Sequence, residues 1–169
     1  DQIWEGEKRP GHFQGVTQVV YKLFTLVQPD IACFGQKDFQ QVMVIKRMID
    51  IKGLPIKLAI CPIIRDQHGL ALSSRNMRLS EEGKTKALAL SRSLQYLKDH
   101  IADNTGLQEV KNNALAILTG TEGVTVEYFA ICESTSLKEV EQIDFSKPHV
   151  ALVTAWVEDV RLIDNMVLT

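Results

Sequence analysis

The sequence predicts an α/β chain in two styles: a parallel βα unit over residues 1–79, then a small α+β unit over residues 80–169 with a three-stranded, mostly antiparallel sheet. Three observations carry this. Helical and strand-like apolar spacings alternate up to about residue 79, which implies right-handed crossovers and parallel strands. From Ser80 two helical patterns follow one another directly. Three β-rich runs then close the chain.

The elements follow in order. Residues 1–14, "DQIWEGEKRPGHFQ", are polar and read as irregular. Val16, Val19, Val20, Leu23, Phe24 and Val27 fall at helical spacing, and Pro29 ends that helix. "DIACFG" reads as a short, fully buried strand. Phe39, Val42, Met43, Ile45, Met48 and Ile49 mark a second helix with Gly53 as its stop. "IKLAICPII" is a second strand, "RDQHG" a turn, and "LALSSRNMRL" a polar loop. Two parallel strands cannot cover both of their faces alone. Another chain or further sequence is therefore expected to complete the sheet, and a start at Asp1 without methionine favours further sequence.

In the second style, "SEEG" caps a long helix whose apolar face holds Ala87, Leu88, Leu90, Leu94, Leu97 and Ile101. Asn104 or Thr105 caps the next, with Leu107, Val110, Leu115 and Leu118 inward and Gly120 as terminator. "VTVEYFAIC", "HVALVTAWVED" and "VRLIDNMVL" are the strands, with a turn at "SKP".

Composition excludes several classes of function. The 169 residues are 45% apolar and 24% charged, with a net charge of −2 and both signs interspersed. That gives no electrostatic footprint for nucleic acid or an anionic membrane, and no apolar run is long enough to span a bilayer. Cys33, Cys61 and Cys132 lack metal-ligand spacing, so no metal site is expected. Each lies in an apolar run and reads as a buried free thiol of a reducing cytoplasm. Trp4 and Trp156 read as packing residues.

The chemistry lies in two polar bursts. The first, "FGQKDFQQ", sits where a strand gives way to a helix, the edge at which open α/β sheets bind ligands. Gly35 lets the backbone approach a ligand, and the first helical N–H groups favour an anion. Lys37 can set an ammonium on a phosphate oxygen. Asp38 can accept from a ribose hydroxyl or simply cap the helix, and Lys37 can equally be a solvated charge. Gln41, three residues on, can donate and accept towards a small polar substrate. The second burst, "LSSRN", follows the next strand and is expected at the same sheet edge. Ser73, Ser74 and Arg75 suit a polyphosphate, although Arg75 could equally pair with a carboxylate. Together the bursts suggest a nucleoside triphosphate. His12, in "RPGHF", is an acid–base candidate, but a lone loop histidine reads more simply as structural.

"RPGHFQGV", "KLFTLVQPDIACFGQKDFQQ", "QHGLALSSRN" and "VRLIDN" closely resemble the pantoate–β-alanine ligase family, and the resemblance runs through essentially the whole chain. It implies the cytidylyltransferase-like nucleotidyltransferase superfamily. Residues 1–79 would be the C-terminal part of a Rossmann-like nucleotide-binding domain, and residues 80–169 a C-terminal lid domain. The implied activity joins pantoate to β-alanine in the cytoplasm: ATP, with Mg2+, adenylates pantoate and releases pyrophosphate, and β-alanine then displaces AMP. By the same resemblance Gly35, Gln36, Lys37 and Asp38 contact ATP, and Ile64 contacts adenine through its backbone. Leu72, Ser73, Ser74 and Arg75 form the second ATP loop, and Gln41 binds pantoate. Lys37 and Arg75 are the implied catalytic cations. The resemblance also implies a homodimer of the full-length enzyme. Two departures stand out. Gln36 replaces the family's usual Glu, and no two-histidine phosphate loop precedes Asp1, so the chain by itself is expected to be inactive. Another enzyme of the nucleotidyltransferase fold, or a non-catalytic folded fragment, are the competing readings.

Overall fold

The structure, a computed structural model, describes residues 3–102 and 106–169. Contacts divide it into two compact units, Asp1–Ile63 and Ile64–Thr169, a division that falls earlier in the chain than the change of style at Ser80.

The first unit runs α1 (Glu5–Lys8), α2 (His12–Val27), β1 (Ile31–Gly35), a 3-10 turn (Gln36–Asp38), α3 (Phe39–Lys52) and β2 (Lys57–Cys61). β1 and β2 pair in parallel, from Ile31 opposite Lys57 to Gly35 opposite Cys61, as the alternating pattern requires. Gln28 ends α2 in the left-handed conformation, one residue before Pro29. Gly53 ends α3 at φ 59°, where its N–H reaches the carbonyls of Ile49 and Asp50. Phe24, Ala32, Ile45, Met48 and Ile49 form the core, and Phe24 meets Phe34 edge to face at 6.4 Å.

Three expectations for this unit need correction. The stretch read as irregular over residues 1–14 is not so from residue 3 onward, because it holds α1 and the first turn of α2. The buried Gln40 side chain orders the start of the chain: it accepts from the Glu5 N–H and donates to the Ile3 carbonyl, both at 3.0 Å. β1 is not fully buried either. Ala32 and Phe34 face the helices, while Ile31 and Cys33 point to the opposite face and are exposed. Successive side chains of a strand leave on opposite faces, so one covering layer buries only every second residue. Cys61 is exposed on β2 as well, so only Cys132 is a buried thiol. All three cysteines are free, and burial pushes the Cys132 thiol up to about 12.

The second unit contains α4 (Glu81–His100), α5 (Leu107–Thr119), β3 (Val124–Glu133), β4 (His149–Val157) and β5 (Val160–Val167). The sheet is antiparallel throughout, in the order β3-β4-β5. Ser80 caps α4 by accepting from the Gly83 N–H, as "SEEG" implied. The caps expected at Asn104 or Thr105 lie outside the described residues.

The helices cover one sheet face. Leu88, Leu94, Leu97, Val110 and Leu118 pack with Ala151, Val153, Ala155 and Val157 of β4. On β3 the core-facing residues change parity, from Val124 and Val126 to Phe129 and Ile131. A bulge at Glu127 makes this possible: Val126 pairs with Ala155 but Tyr128 with Thr154, so Glu127 is the extra residue. Glu158 and Asp159 form the two-residue β4–β5 turn with φ of 48° and 60°, the left-handed geometry that a tight hairpin needs. The Ser80 N–H and hydroxyl bond the Glu158 carboxylate and hold that turn on the N-terminus of α4. A Cβ at Gly83 would overlap the same carboxylate, so a larger residue there would have to displace the Glu158 side chain. No helix among the described residues is long and apolar enough to cross a membrane.

Candidate functional site

In the first unit β1 delivers Gly35 to the sheet edge with φ −72°. A Cβ there would meet nothing within 4 Å. Among the described residues neither backbone conformation nor packing demands glycine at this position. Gln36 and Lys37 are half-buried in the 3-10 turn and Asp38 is exposed. Asp38 occupies the N-cap position of α3, yet its side chain makes no capping hydrogen bond. The capping alternative for Asp38 is therefore not realised, and its carboxylate is not engaged by the helix it precedes.

The paired glutamines divide their labour. Gln40 is spent on the chain start, whereas Gln41 lines an open cleft of about 560 Å³ with Gly11, His12, Gly15, Val16, Val19 and Val20. The α2 residues of this wall recur at positions 12, 15, 16, 19 and 20, one face of a helix. Sequence reasoning assigned the valines to packing and His12 to structure, and so missed the cleft. The signal was present, since the same spacing continues upstream of Val16 to His12. Burial and then the Arg9 charge lower the His12 pKa, and the Arg9 guanidinium lies 3.2 Å from its Nε2. The ring is thus mainly neutral at neutral pH, able to donate from one nitrogen and accept at the other.

In the second unit the turn after Ile64 is ordered by Asp66, whose carboxylate accepts from the His68 and Leu70 N–H groups. Burial opposes the shift, but these bonds hold the Asp66 carboxyl below its ordinary range. Gly69, at φ 99°, supplies the left-handed residue that the turn needs. The Ile64 carbonyl accepts from the Leu72 N–H at 2.9 Å, so these two residues meet through backbone while both side chains stay exposed. The Ser73 hydroxyl accepts from the Arg75 N–H at 3.2 Å and caps a 3-10 helix, Ser74–Arg78.

Among the described residues Arg75 pairs with no carboxylate. One of its terminal nitrogens donates to the backbone carbonyl of Arg161 on β5 at 3.0 Å. The nearby Glu127 is held by Arg161, through Nε at 2.9 Å and Nη2 at 2.8 Å, and by the Trp156 indole N–H at 2.8 Å. Trp156, read from sequence as a packing residue, is 40% exposed and acts as a donor in this cluster. A second arginine clamps the same strand. Arg65 sets its fork on the buried Asp164 at 2.6 and 3.0 Å and also reaches the Gly69 carbonyl at 3.1 Å. Removing one partner of such a pair costs about 3–5 kcal/mol, because the other charge is left buried and unmatched. Among the described residues no group of three or more potential metal ligands occurs.

Comparison with known proteins identifies the family. The family model for pantoate-beta-alanine ligase matches residues 1–167. Pantothenate synthetase from Porphyromonas gingivalis is 42% identical over 165 residues, covering 98% of this chain and 58% of that protein. The Thermobifida fusca pantothenate synthetase is 45% identical over 172 residues, covering 99% and 57%. The crystal structure of pantothenate synthetase from Thermus thermophilus superposes with a TM-score of 0.92 at 37% identity, over 98% of this chain and 59% of that one. The pantoate-beta-alanine ligase of Francisella tularensis, complexed with beta-gamma ATP and beta-alanine, superposes at 0.69 with 30% identity, over 98% and 54%. This chain therefore spans somewhat more than half the length of the relatives it matches. The sequence motifs, the fold and these likenesses agree: the chain belongs to the pantoate–β-alanine ligase family.

Proposed function

We propose that the chain is part of an ATP-dependent ligase that condenses pantoate with β-alanine. A pantoate carboxylate oxygen attacks the α-phosphorus of ATP and pyrophosphate leaves, giving pantoyl adenylate. The β-alanine amine then attacks the acyl carbon, loses a proton, and releases AMP and pantothenate. Mg2+ enters with the triphosphate as part of the substrate, and the working protein is a cytoplasmic homodimer.

The observation that carries this reading is the family match across residues 1–167, with "FGQKD" placed at the end of a parallel strand and an Asp38 side chain that makes no cap. Each proposed role follows from side-chain chemistry. The Lys37 ammonium offsets charge on the phosphates, and Asp38 accepts from the ribose hydroxyls. Gly35 and Gln36 offer backbone to the nucleotide, which makes the exchange of the family's usual Glu for Gln36 inexpensive. Ser73, Ser74 and Arg75 donate to phosphate oxygens, and Ile64 and Leu72 border the base. Gln41 takes the hydroxyl and carboxylate of pantoate in the cleft whose valine wall suits the substrate's two methyl groups.

The experiment is pantoate-dependent ATP–pyrophosphate exchange by the full-length protein that carries this chain. Lys37→Ala is expected to slow exchange by about a hundredfold or more, the usual scale for removing a charge-stabilising donor. AMP should be the nucleotide product. Wild-type exchange in the variant would refute the role given to Lys37, and a product that retains the nucleotide would refute the ligase reading.

A further inference from the structure

The Arg65–Asp164 pair lies outside the set of groups assigned to substrate, and its geometry is unusually committed. Asp164 sits on β5 opposite Val153 of β4, 5% exposed, on the strand face that also carries Leu162 and Met166. A carboxylate in that apolar setting is costly unless it is matched. Arg65 matches it with two parallel N–H···O bonds, and the Asn165 N–H supplies a third. Arg65 also bonds the Gly69 carbonyl, so one guanidinium ties β5 to both arms of the 65–71 turn.

From that turn the chain runs directly into residues 72–75. The segment is fixed again at three points. The Leu72 N–H returns to the Ile64 carbonyl, the Asn76 side-chain amide donates to the Ala71 carbonyl at 3.0 Å, and Arg75 donates to the Arg161 carbonyl. β5 closes one side of the three-stranded sheet, so Arg161 offers that carbonyl from an edge strand. The Arg161 side chain is itself locked to Glu127 at the bulge of β3. The loop is thus held on β5 by two arginines, at residues 161 and 164, three positions apart.

We infer that Arg65 and Asp164 are positioning residues for the Arg75 guanidinium: they hold the 65–75 segment on the edge of β5 and set where Arg75 presents its remaining donors to a phosphate. This rests on the proposed ATP-dependent ligase reading, in which Arg75 meets the triphosphate. The role is geometric, since neither Arg65 nor Asp164 need touch the nucleotide.

The test is a double-mutant cycle in the full-length protein, read by pantoate-dependent ATP–pyrophosphate exchange. Asp164→Asn keeps the shape of the side chain but places an amide against the Arg65 fork. Arg65→Lys keeps the charge but loses the fork, and serves if Asp164→Asn fails to fold. Either variant should lower kcat/KM for ATP by roughly tenfold or more, the scale of a misplaced binding group. KM for pantoate should stay within about twofold in both, which general loss of structure would not allow. In an Arg75→Ala background the same substitutions should have little further effect, because the group they position is gone. Independent, multiplicative losses in the double variant would overturn the inference while leaving the ligase reading intact. Undiminished exchange in Arg75→Ala alone would overturn the inference together with the role proposed for Arg75, and loss of exchange in the unmodified protein would overturn the ligase reading.

Discussion

The turn at residues 35–38 and the loop at residues 72–75 present similar donors, yet the chain holds them by different means. The first is a local construction. A five-residue strand, a 3-10 turn and α3 follow one another without interruption, and each is visible as a change of apolar spacing. The second has little regular structure of its own. Its shape comes from bonds to β5, with Arg65 reaching Asp164 and Arg75 reaching Arg161 across most of the second unit. A polar loop can therefore be rigid without local propensity, provided that tertiary hydrogen bonds replace the missing ladder.

The difference extends to the ground beneath each loop. In the second unit a continuous apolar layer joins α4 and α5 to the sheet, with Leu94, Leu97 and Leu118 at 0% exposure. In the first, Leu26 and Val27 of α2 and Ile31 and Ile60 of the strands are exposed in this chain, which spans somewhat more than half the length of its relatives. Disturbing the second unit's core should thus loosen its loop, while the first unit's turn should respond only to changes within its own few residues.

The largest expected effect tests that contrast directly. Leu94→Ala removes a fully buried side chain beneath β4 and β5 and should cost about 3 kcal/mol or more, read by urea denaturation. Amide hydrogen exchange should quicken around residues 72–75 and remain unchanged at residues 35–38; equal quickening in both would break the contrast. Gln41→Ala comes next. It should raise KM for pantoate about tenfold in the exchange assay, with KM for ATP and thermal stability nearly unchanged. A matching rise in KM for ATP would show that the first unit's site is not local.

The smallest effect concerns pH. The Ser80 hydroxyl and N–H hold the Glu158 carboxyl below its ordinary value of 4.5. A carboxyl with a depressed folded-state pKa contributes stability that is full above the unfolded value and is lost as pH falls through the folded one. Glu158→Gln should lower Tm slightly at neutral pH and flatten the decline of Tm below about pH 4.5. An acid limb identical to wild type would mean that the hairpin is not held on α4 by this charge. Lys37→Ala, by contrast, should slow exchange by about a hundredfold or more, since its proposed role is towards the phosphates.

Much of the fold was legible because the spacing of apolar residues is a local record of which face is buried. The ends of α2 and α3 were marked by Pro29 and Gly53, the start of α4 by Ser80, and the meander by three β-rich runs. The misreadings share a cause. Cys33 lies in an apolar run but on the uncovered face of β1, and a run of apolar letters does not say how many layers cover a strand. The α1 segment looked irregular because what orders it, the Gln40 amide, lies 35 residues away from its partner Glu5. In the proposed site, residues 35–38 and Gln41 could be picked out from their place after a strand. The helical spacing that reaches His12 could also be read, but nothing in "RPGHF" shows that this helix face meets Gln41 across a cleft.

By itself the sequence determined the family, the order and type of nearly every element, and the donors in each polar loop, because periodicity, caps and motifs are properties of neighbouring residues. Tertiary structure alone decided that Gln40 is spent on the chain start, that Glu127 becomes a bulge, and that Arg65 and Arg75 spend donors on β5. These are outcomes of long-range pairing, in which a polar side chain takes whatever unmatched group the fold brings within reach. A linear string of residues does not carry that information.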